Sequence, residues 1–194
     1  MNKHVSLSVN PKVSDWLEFR PAGRVILHTG KVNIGQHITS ALVLIAAEEL
    51  NIDPNQIAVA QTRTGSSPNE NYTVGSQSMQ HSGYAIKKAA ATARNELTVR
   101  AAKFFSVAVE QIKIEDGNLF IEKTNQSISY WELVKNTPLE CYVDETVDVK
   151  NHALHQLQGK HHIARGMWDI VTVSYTHLRA HETSLHLVCR LLLE

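Results

Sequence analysis

The sequence predicts an α+β fold, with helices packed on a small mixed sheet. Three observations point there. Two short β-branched runs, near 24–29 and 57–60, are separated by a stretch with helical periodicity. A long alanine-rich helical stretch follows a polar loop. Two further apolar runs flank Asp116-Gly117-Asn118, a sequence that supplies the positive φ of a hairpin turn. Strand, helix, strand, loop, helix, hairpin is the order of one layered α+β domain.

Each element has its own signal. RVILHT (24–29) is β-branched and enters through Pro21-Ala22-Gly23, a turn. A helix then starts near 36–39, because Ile38, Leu42, Ile45, Ala46 and Leu50 recur at spacings of three and four. Asp53-Pro54 stops it. Ile57 and Val59 mark a second short strand. Residues 62–83 are loaded with Ser, Thr, Asn, Gln and Gly, too polar for a core element. Connections this long in compact domains tend to be functional or disordered. From about Gly83 to Phe105, Ile86, Ala89, Ala90, Ala93, Leu97, Ala101 and Phe104 form one helical stripe, and its small side chains let a neighbour approach closely. Ser129 and Glu132 have the spacing of a capping box for a short helix at 130–135. Beyond Pro138 periodicity fades, and 139–173 reads as a connecting segment. Residues 1–22 read as a polar lead-in and 23–138 as the domain proper.

Composition excludes several classes. The 194 residues are 43% hydrophobic and 20% charged, ordinary for a globular chain. Nineteen basic residues balance 19 acidic ones, so there is no whole-chain basic footprint for nucleic acid. No apolar run is long enough to span a membrane. Two cysteines, Cys141 and Cys189, make neither a disulfide framework nor a four-cysteine metal site. The opening MNKHVSLSVN lacks the apolar core of a signal peptide, so the expected location is cytoplasmic.

Two segments carry candidate chemistry. In GKVNIGQH (30–37), Gly35 relaxes the backbone and Gln36 falls at a helix N-terminus, where its amide could read an oxo group or polar heterocycle; a plain surface glutamine fits the same spacing. In TVGSQSMQHSG (73–83), Gly75 and the hydroxyls of Thr73, Ser76 and Ser78 precede the long helix. Free amides and the helix dipole favour an anionic ligand there, although a loop that only caps the helix fits too. The segment is not a P-loop, since GxxxxGK[ST] is absent.

Taken together, GKVNIGQH, TSAL, AAEELNIDPNQI and PNENYTVGSQSMQHSGYAIKKAAATAR resemble the molybdenum-cofactor-binding large subunits of the xanthine dehydrogenase and aldehyde oxidase family. Within that family the resemblance is to the branch of the isoquinoline 1-oxidoreductase β subunits and nicotinate-dehydrogenase-like subunits. The resemblance runs from about Val13 to Thr172 and is strongest between 23 and 94. It implies part of a domain that binds a pyranopterin molybdenum cofactor (molybdopterin or its cytosine dinucleotide) and serves water-dependent hydroxylation of an N-heterocycle or aldehyde. It implies as partners a small [2Fe-2S] subunit and the remainder of the large subunit. Gly35, Gln36, Thr73, Gly75, Ser76 and Ser78 become the expected cofactor-binding residues. No catalytic or metal-ligating residue is expected within this chain, because the glycine-rich segment near molybdenum and the base glutamate of the family are absent. The chain is thus expected to be inactive by itself.

One departure is local: His37 stands where the family has the second glycine of GQG. A histidine at a glycine position of positive φ strains the turn or crowds the site, which leaves open a non-catalytic binding module without molybdenum. The other lies at the end. Residues 174–194 (SYTHLRAHETSLHLVCRLLLE) resemble translated sequencing-adapter DNA, which would make them an artefactual tail. Read from spacing alone, His177, His181, His186 and Cys189 offer a zinc-ligand set, but no second element to anchor it is evident. His152, His155, His161 and His162 read as solvated.

Overall fold

A computed structural model describes residues 4–172 apart from Lys123, Asn125 and Asn136. The expected tail at 174–194 and its histidines lie outside the described residues. Of the described residues, 4–160 form one compact unit and 161–172 belong to a second, which carries α5 (Met167–Val171).

The first sheet joins β1 (Leu17–Arg20), β2 (Arg24–Leu27) and β3 (Ile57–Val59) in that order. β1 and β2 pair antiparallel, from Leu17 opposite Leu27 to Arg20 opposite Arg24. β2 and β3 pair parallel, with Val25 opposite Ile57 and Leu27 opposite Val59. A parallel pair needs a long crossover. Here it is α2 (Ile38–Leu50). The hairpin forms a second, antiparallel sheet: β4 (Ile112–Glu115), β5 (Asn118–Ile121) and β6 (Ser127–Ser129). α4 (Tyr130–Lys135) follows directly, and its capping box is present. Ser129 N–H and Oγ–H both donate to the Glu132 carboxylate at 2.8 Å, while Glu132 N–H donates back to Ser129 Oγ at 3.2 Å.

The core sits between α2 and α3 (Tyr84–Phe105). Ala89, Ala90, Ala93 and Ala101 of α3 and Leu42, Ala46 and Leu50 of α2 are all fully buried. A Cβ built on Gly83 would lie 3.4 Å from Ile45 Cδ1, and further along Arg94 Nη1 donates to the Glu49 carbonyl at 2.9 Å. Both contacts move toward the C-terminal ends of their helices, so α2 and α3 run in the same general sense, and the Val32 N–H bond to Thr73 Oγ brings together the segments that precede them. At the far end the last carbonyls of α2 are satisfied by α4 and by the β4–β5 turn. Tyr130 O–H donates to Leu50 O at 2.9 Å and Gly117 N–H to Asn51 O at 3.0 Å.

The segments outside 23–138 are more than lead-in and connection. Leu7, Val13, Trp16 and Leu17 are core residues, and α1 (Val5–Val9) and β1 lie in the expected lead-in. Val13 N–H donates to Cys141 O at 2.9 Å and Val143 N–H to Pro11 O at 2.8 Å, which ties the two chain segments side by side. Residues 144–158 then form a strap along the helices. Lys88 Nζ holds the carbonyls of Glu145 and Val147, and Arg94 Nη2 holds that of Asp148. The buried Glu48 carboxylate accepts from Lys150 Nζ at 2.6 Å and from the backbone N–H groups of Gln156, Leu157 and Gln158. Of the histidines expected to be solvated, His152, His161 and His162 are exposed, whereas His155 is half-buried and packs edge-on against His152 at 4.7 Å.

Burial pushes the Glu48 carboxyl up, but Lys150 and the three amides outweigh it and hold the group down to about 2, from an ordinary 4.5. The sign follows. In the window between these values the unfolded chain binds the proton and the folded chain does not, so this contribution is complete above about 4.5 and is lost as pH falls toward 2. Glu48→Gln should lower the melting temperature at pH 7 and flatten its dependence on pH below 5 relative to the parent, as thermal melts across that range would show. An unchanged slope would rule out the strap anchor.

Candidate functional site

The two segments singled out in the sequence lie together. Gln36 staples its own turn: its Oε1 accepts from Ile34 N–H at 2.6 Å and its Nε2 donates to Val32 O at 2.9 Å. On the other side of the same peptide run, Val32 N–H donates to Thr73 Oγ at 3.1 Å. Gln36 and Thr73 thus grip the two polar groups of Val32. Asn33 adds a bond from its Nδ2 to Thr39 Oγ at 2.7 Å, fixing the turn to the first turn of α2.

Both segments feed helix N-termini. His37 precedes α2 in the left-handed region, with φ 52°. This is the conformation that favours glycine, so the departure at 37 introduces strain but keeps the turn. Gly35 is also left-handed, with φ 102°, and open space lies where its side chain would be. In the second segment Gly75 and Ser76 are consecutive left-handed residues, with φ of 62° and 56°. The helix then begins at Gln77, earlier than the expected Gly83, and passes through a π-helical turn (Met79–Gly83) into α3. Gly83 is helical itself, and its bare backbone leaves room for Ile45 and Met79. π turns within α-helices are frequent at functional sites. Ser76 is exposed and Ser78 half-buried.

Beneath the surface lies a buried polar clasp that the sequence pattern does not announce. Glu70 Oε2 accepts from Thr29 Oγ–H at 2.9 Å and Gly30 N–H at 2.8 Å, and its Oε1 accepts from Ser82 Oγ–H at 2.5 Å. Lys31, with 0% exposure, donates from Nζ to the carbonyls of Glu70 at 2.6 Å and Tyr72 at 2.8 Å. A Cβ on Gly30 would collide with the Pro68 carbonyl, so only glycine permits this approach. The one available signal is that Lys31 is the only lysine or arginine in 30–37 and Glu70 the only acidic residue in 62–83.

Around the turns Val32, Ile34, Tyr72, Val74 and Met79 are exposed apolar side chains, Tyr72 at 81%. A separate cluster lies near the π turn. The His4 ring packs 4.5 Å from Tyr84 and 5.6 Å from His81, and Tyr84 O–H donates to Glu145 at 3.0 Å. Burial, and secondarily His81, push the His4 imidazole below its usual range. No group of three or more metal-ligating side chains occurs among the described residues. None of the described helices is long and apolar enough to cross a membrane.

The family model described as "Molybdopterin cofactor-binding domain" matches residues 3–178. The chain belongs to that family. It is 31% identical over 138 residues to a nicotinate dehydrogenase subunit of Pseudomonas putida, a match covering 71% of this chain and 12% of that protein. It is 30% identical over 117 residues to the gamma subunit of the 6-hydroxypseudooxynicotine dehydrogenase complex of Paenarthrobacter nicotinovorans, covering 60% of this chain and 15% of the relative. The chain therefore spans well under a fifth of these curated relatives. The fold is similar to that of a reconstituted CO dehydrogenase from Oligotropha carboxidovorans, with TM-score 0.56 and 22% identity over 67% of this chain and 18% of that one. It is likewise similar to a Cu,Mo-CO dehydrogenase, with TM-score 0.55 and 24% identity over 63% of this chain and 16% of that one.

The left-handed His37 gives a direct test. Relieving a non-glycine residue there should stabilise the fold by about 1 kcal/mol, less the extra freedom glycine has when unfolded. His37→Gly should raise the urea midpoint without changing the slope. A lowered midpoint would mean that the imidazole makes a stabilising contact.

Proposed function

We propose that this chain is the first cofactor-binding part of a molybdenum hydroxylase large subunit. On this reading the pyranopterin molybdenum cofactor binds at the paired turns, within residues 23–138, and the assembled enzyme hydroxylates an N-heterocycle or aldehyde with oxygen from water. The observation that carries the reading is the convergence of two helix N-termini, each preceded by left-handed residues, at one end of a domain of this family.

The residues present fit such a group. A helix N-terminus carries outward-facing N–H groups and roughly half a positive charge. Two parallel helices starting at one end add these partial charges, so a phosphate or pyrophosphate there is favoured. The Glu70 carboxylate, which would repel an anion, commits both oxygens to Thr29, Gly30 and Ser82. The apolar rim from Val32 to Met79 suits the flat face of a pterin. Gly35 and Gly75 keep side-chain bulk off the approach, while Thr73, Ser76 and Ser78 supply hydroxyls. Gln36 holds its turn and retains a second Nε2 hydrogen to donate. Because His37 adopts the required backbone conformation, it gives no reason to prefer a module without molybdenum.

When bound, the cofactor supplies the oxidation chemistry, and this chain binds and orients it. The relatives named above are subunits of dehydrogenases, which supports an assembly with a [2Fe-2S] subunit and the remainder of a large subunit. In that assembly, in the cytoplasm, electrons leave through the smaller partner; by itself this chain has no hydroxylase activity.

Co-expressed with such partners in a host that makes the cofactor, the assembled protein should carry molybdenum and releasable pterin in matching amounts. Gln36→Ala and Ser76→Pro should reduce both in parallel, as elemental analysis and fluorescence of the oxidised pterin would report. A folded assembly that holds neither would defeat the proposal, and undiminished loading of both variants would defeat the residue assignment.

A further inference from the structure

We infer that Glu70 and Lys31 are positioning residues for the cofactor turn, acting through the backbone they hold rather than by touching the ligand. The inference rests on the proposed cofactor reading, because the segment they hold carries Thr73, Gly75, Ser76 and Ser78.

The geometry is a crossed clasp. Glu70 sits on the second segment and reaches back with its carboxylate to Thr29 and Gly30 of the first. Lys31 sits on the first segment and reaches forward with its ammonium to the carbonyls of residues 70 and 72. The two charged groups are both buried, at 4% and 0% exposure, yet neither joins a direct ion pair among the described residues. Lys31 instead donates to two backbone carbonyls of the other segment, and Glu70 accepts from one backbone N–H and two hydroxyls, all with charge-assisted strength. Burying two ions for such bonds is a costly way to build a loop, and it fixes position more tightly than apolar contact does.

The clasp also reaches the helix. Ser82 lies in the π turn and donates to Glu70 Oε1. Glu70 therefore links three things: the end of β2, the loop that leads to the left-handed pair at 75–76, and the first turns of the long helix. A neutral amide at position 70 would have to turn its NH₂ toward one set of donors and lose at least one link. Lys31 works from the other side, next to Val32, whose N–H and carbonyl bind Thr73 and Gln36. Loss of the clasp should leave α2 and α3 packed, because their seam is apolar, and should free the turns alone.

The test uses the 194-residue chain, with amide exchange and amide chemical shifts as readouts and inorganic phosphate and pyrophosphate as probes. In the parent, Val32 N–H should exchange slowly and the amides of residues 75–78 should shift on titration with either anion. Glu70→Gln and Lys31→Met should speed exchange at Val32 and weaken anion binding roughly tenfold or more, with exchange of buried α3 amides unchanged. Thr29→Ser, which keeps the hydroxyl donor, should behave like the parent, whereas Thr29→Val should resemble Glu70→Gln. Should Glu70→Gln fail to fold, Ser82→Ala removes a single link and serves instead. Parent-like Val32 exchange and anion affinity in Glu70→Gln, or in Ser82→Ala where Glu70→Gln does not fold, would overturn the inference, as would losses that spread equally through α3. A parent whose amides at 75–78 ignore both anions would count against the cofactor reading, while Val32 exchange would still decide whether the clasp positions the turn.

Discussion

The close parallel approach of α2 and α3 is the constraint on which the rest of this structure depends. It is set by side-chain size. Ala89, Ala90, Ala93 and Ala101 line α3 where it meets Leu42, Ala46 and Leu50, and Gly83 admits Ile45 at the start of the long helix. Helices that run together in the same direction place their positive ends side by side, which is mildly unfavourable unless something negative lies there. The opposite end is compensated within the chain, where Tyr130, Gly117 and Lys150 donate to the groups around the α2 terminus. One end of the helix pair is therefore closed by the protein itself, and the other is where the two turns converge.

Buried charge marks the places where non-adjacent segments are joined. Glu48 binds the strap, Glu49 meets Arg94 at 3.2 Å, and Glu70 and Lys31 cross between the turns. In each case a side chain bonds to groups far away in sequence. Such contacts order segments that have too little apolar surface to order themselves. This explains how the polar stretch before the long helix and the strap after Pro138 can be well placed while contributing few core residues.

The same fact decides how much is legible in the sequence. α2, α3, β2, β3 and the hairpin announce themselves by period and turn chemistry, and the capping box at Ser129 and Glu132 lies where the spacing puts it. β1 escapes notice because LEFR alternates charge with apolar residues over only four positions, and β6 because SIS has one apolar side chain. Gly83 has the look of a helix boundary, whereas its role inside the helix is to make room for Ile45. Residues 140–158 have the look of a connector because carbonyl groups, held by Lys88 and Arg94, leave no trace in a hydrophobic pattern. The two site turns are legible from residue type, but the clasp that joins them rests on one lysine and one glutamate whose burial nothing local reveals.

Backbone strain separates the candidate site from ordinary turns. Seven non-glycine residues among those described have positive φ. Asn51 and Ser106 end helices, and Ala22 and Asp116 sit in hairpin turns, where such conformations are common. The remaining three, His37, Asn71 and Ser76, belong to the two paired segments and close no helix and no hairpin. Left-handed residues of this kind persist only where the surroundings over-determine them. Here the surroundings do: Gln36 braces the residues before His37, Asn69 Oδ1 accepts from Asn71 N–H at 3.3 Å, and the clasp fixes the approach to Ser76. What the strained residues achieve together is to turn the chain into each helix from the same side. On the proposed cofactor reading, that shared direction of entry leaves both helix starts facing one ligand.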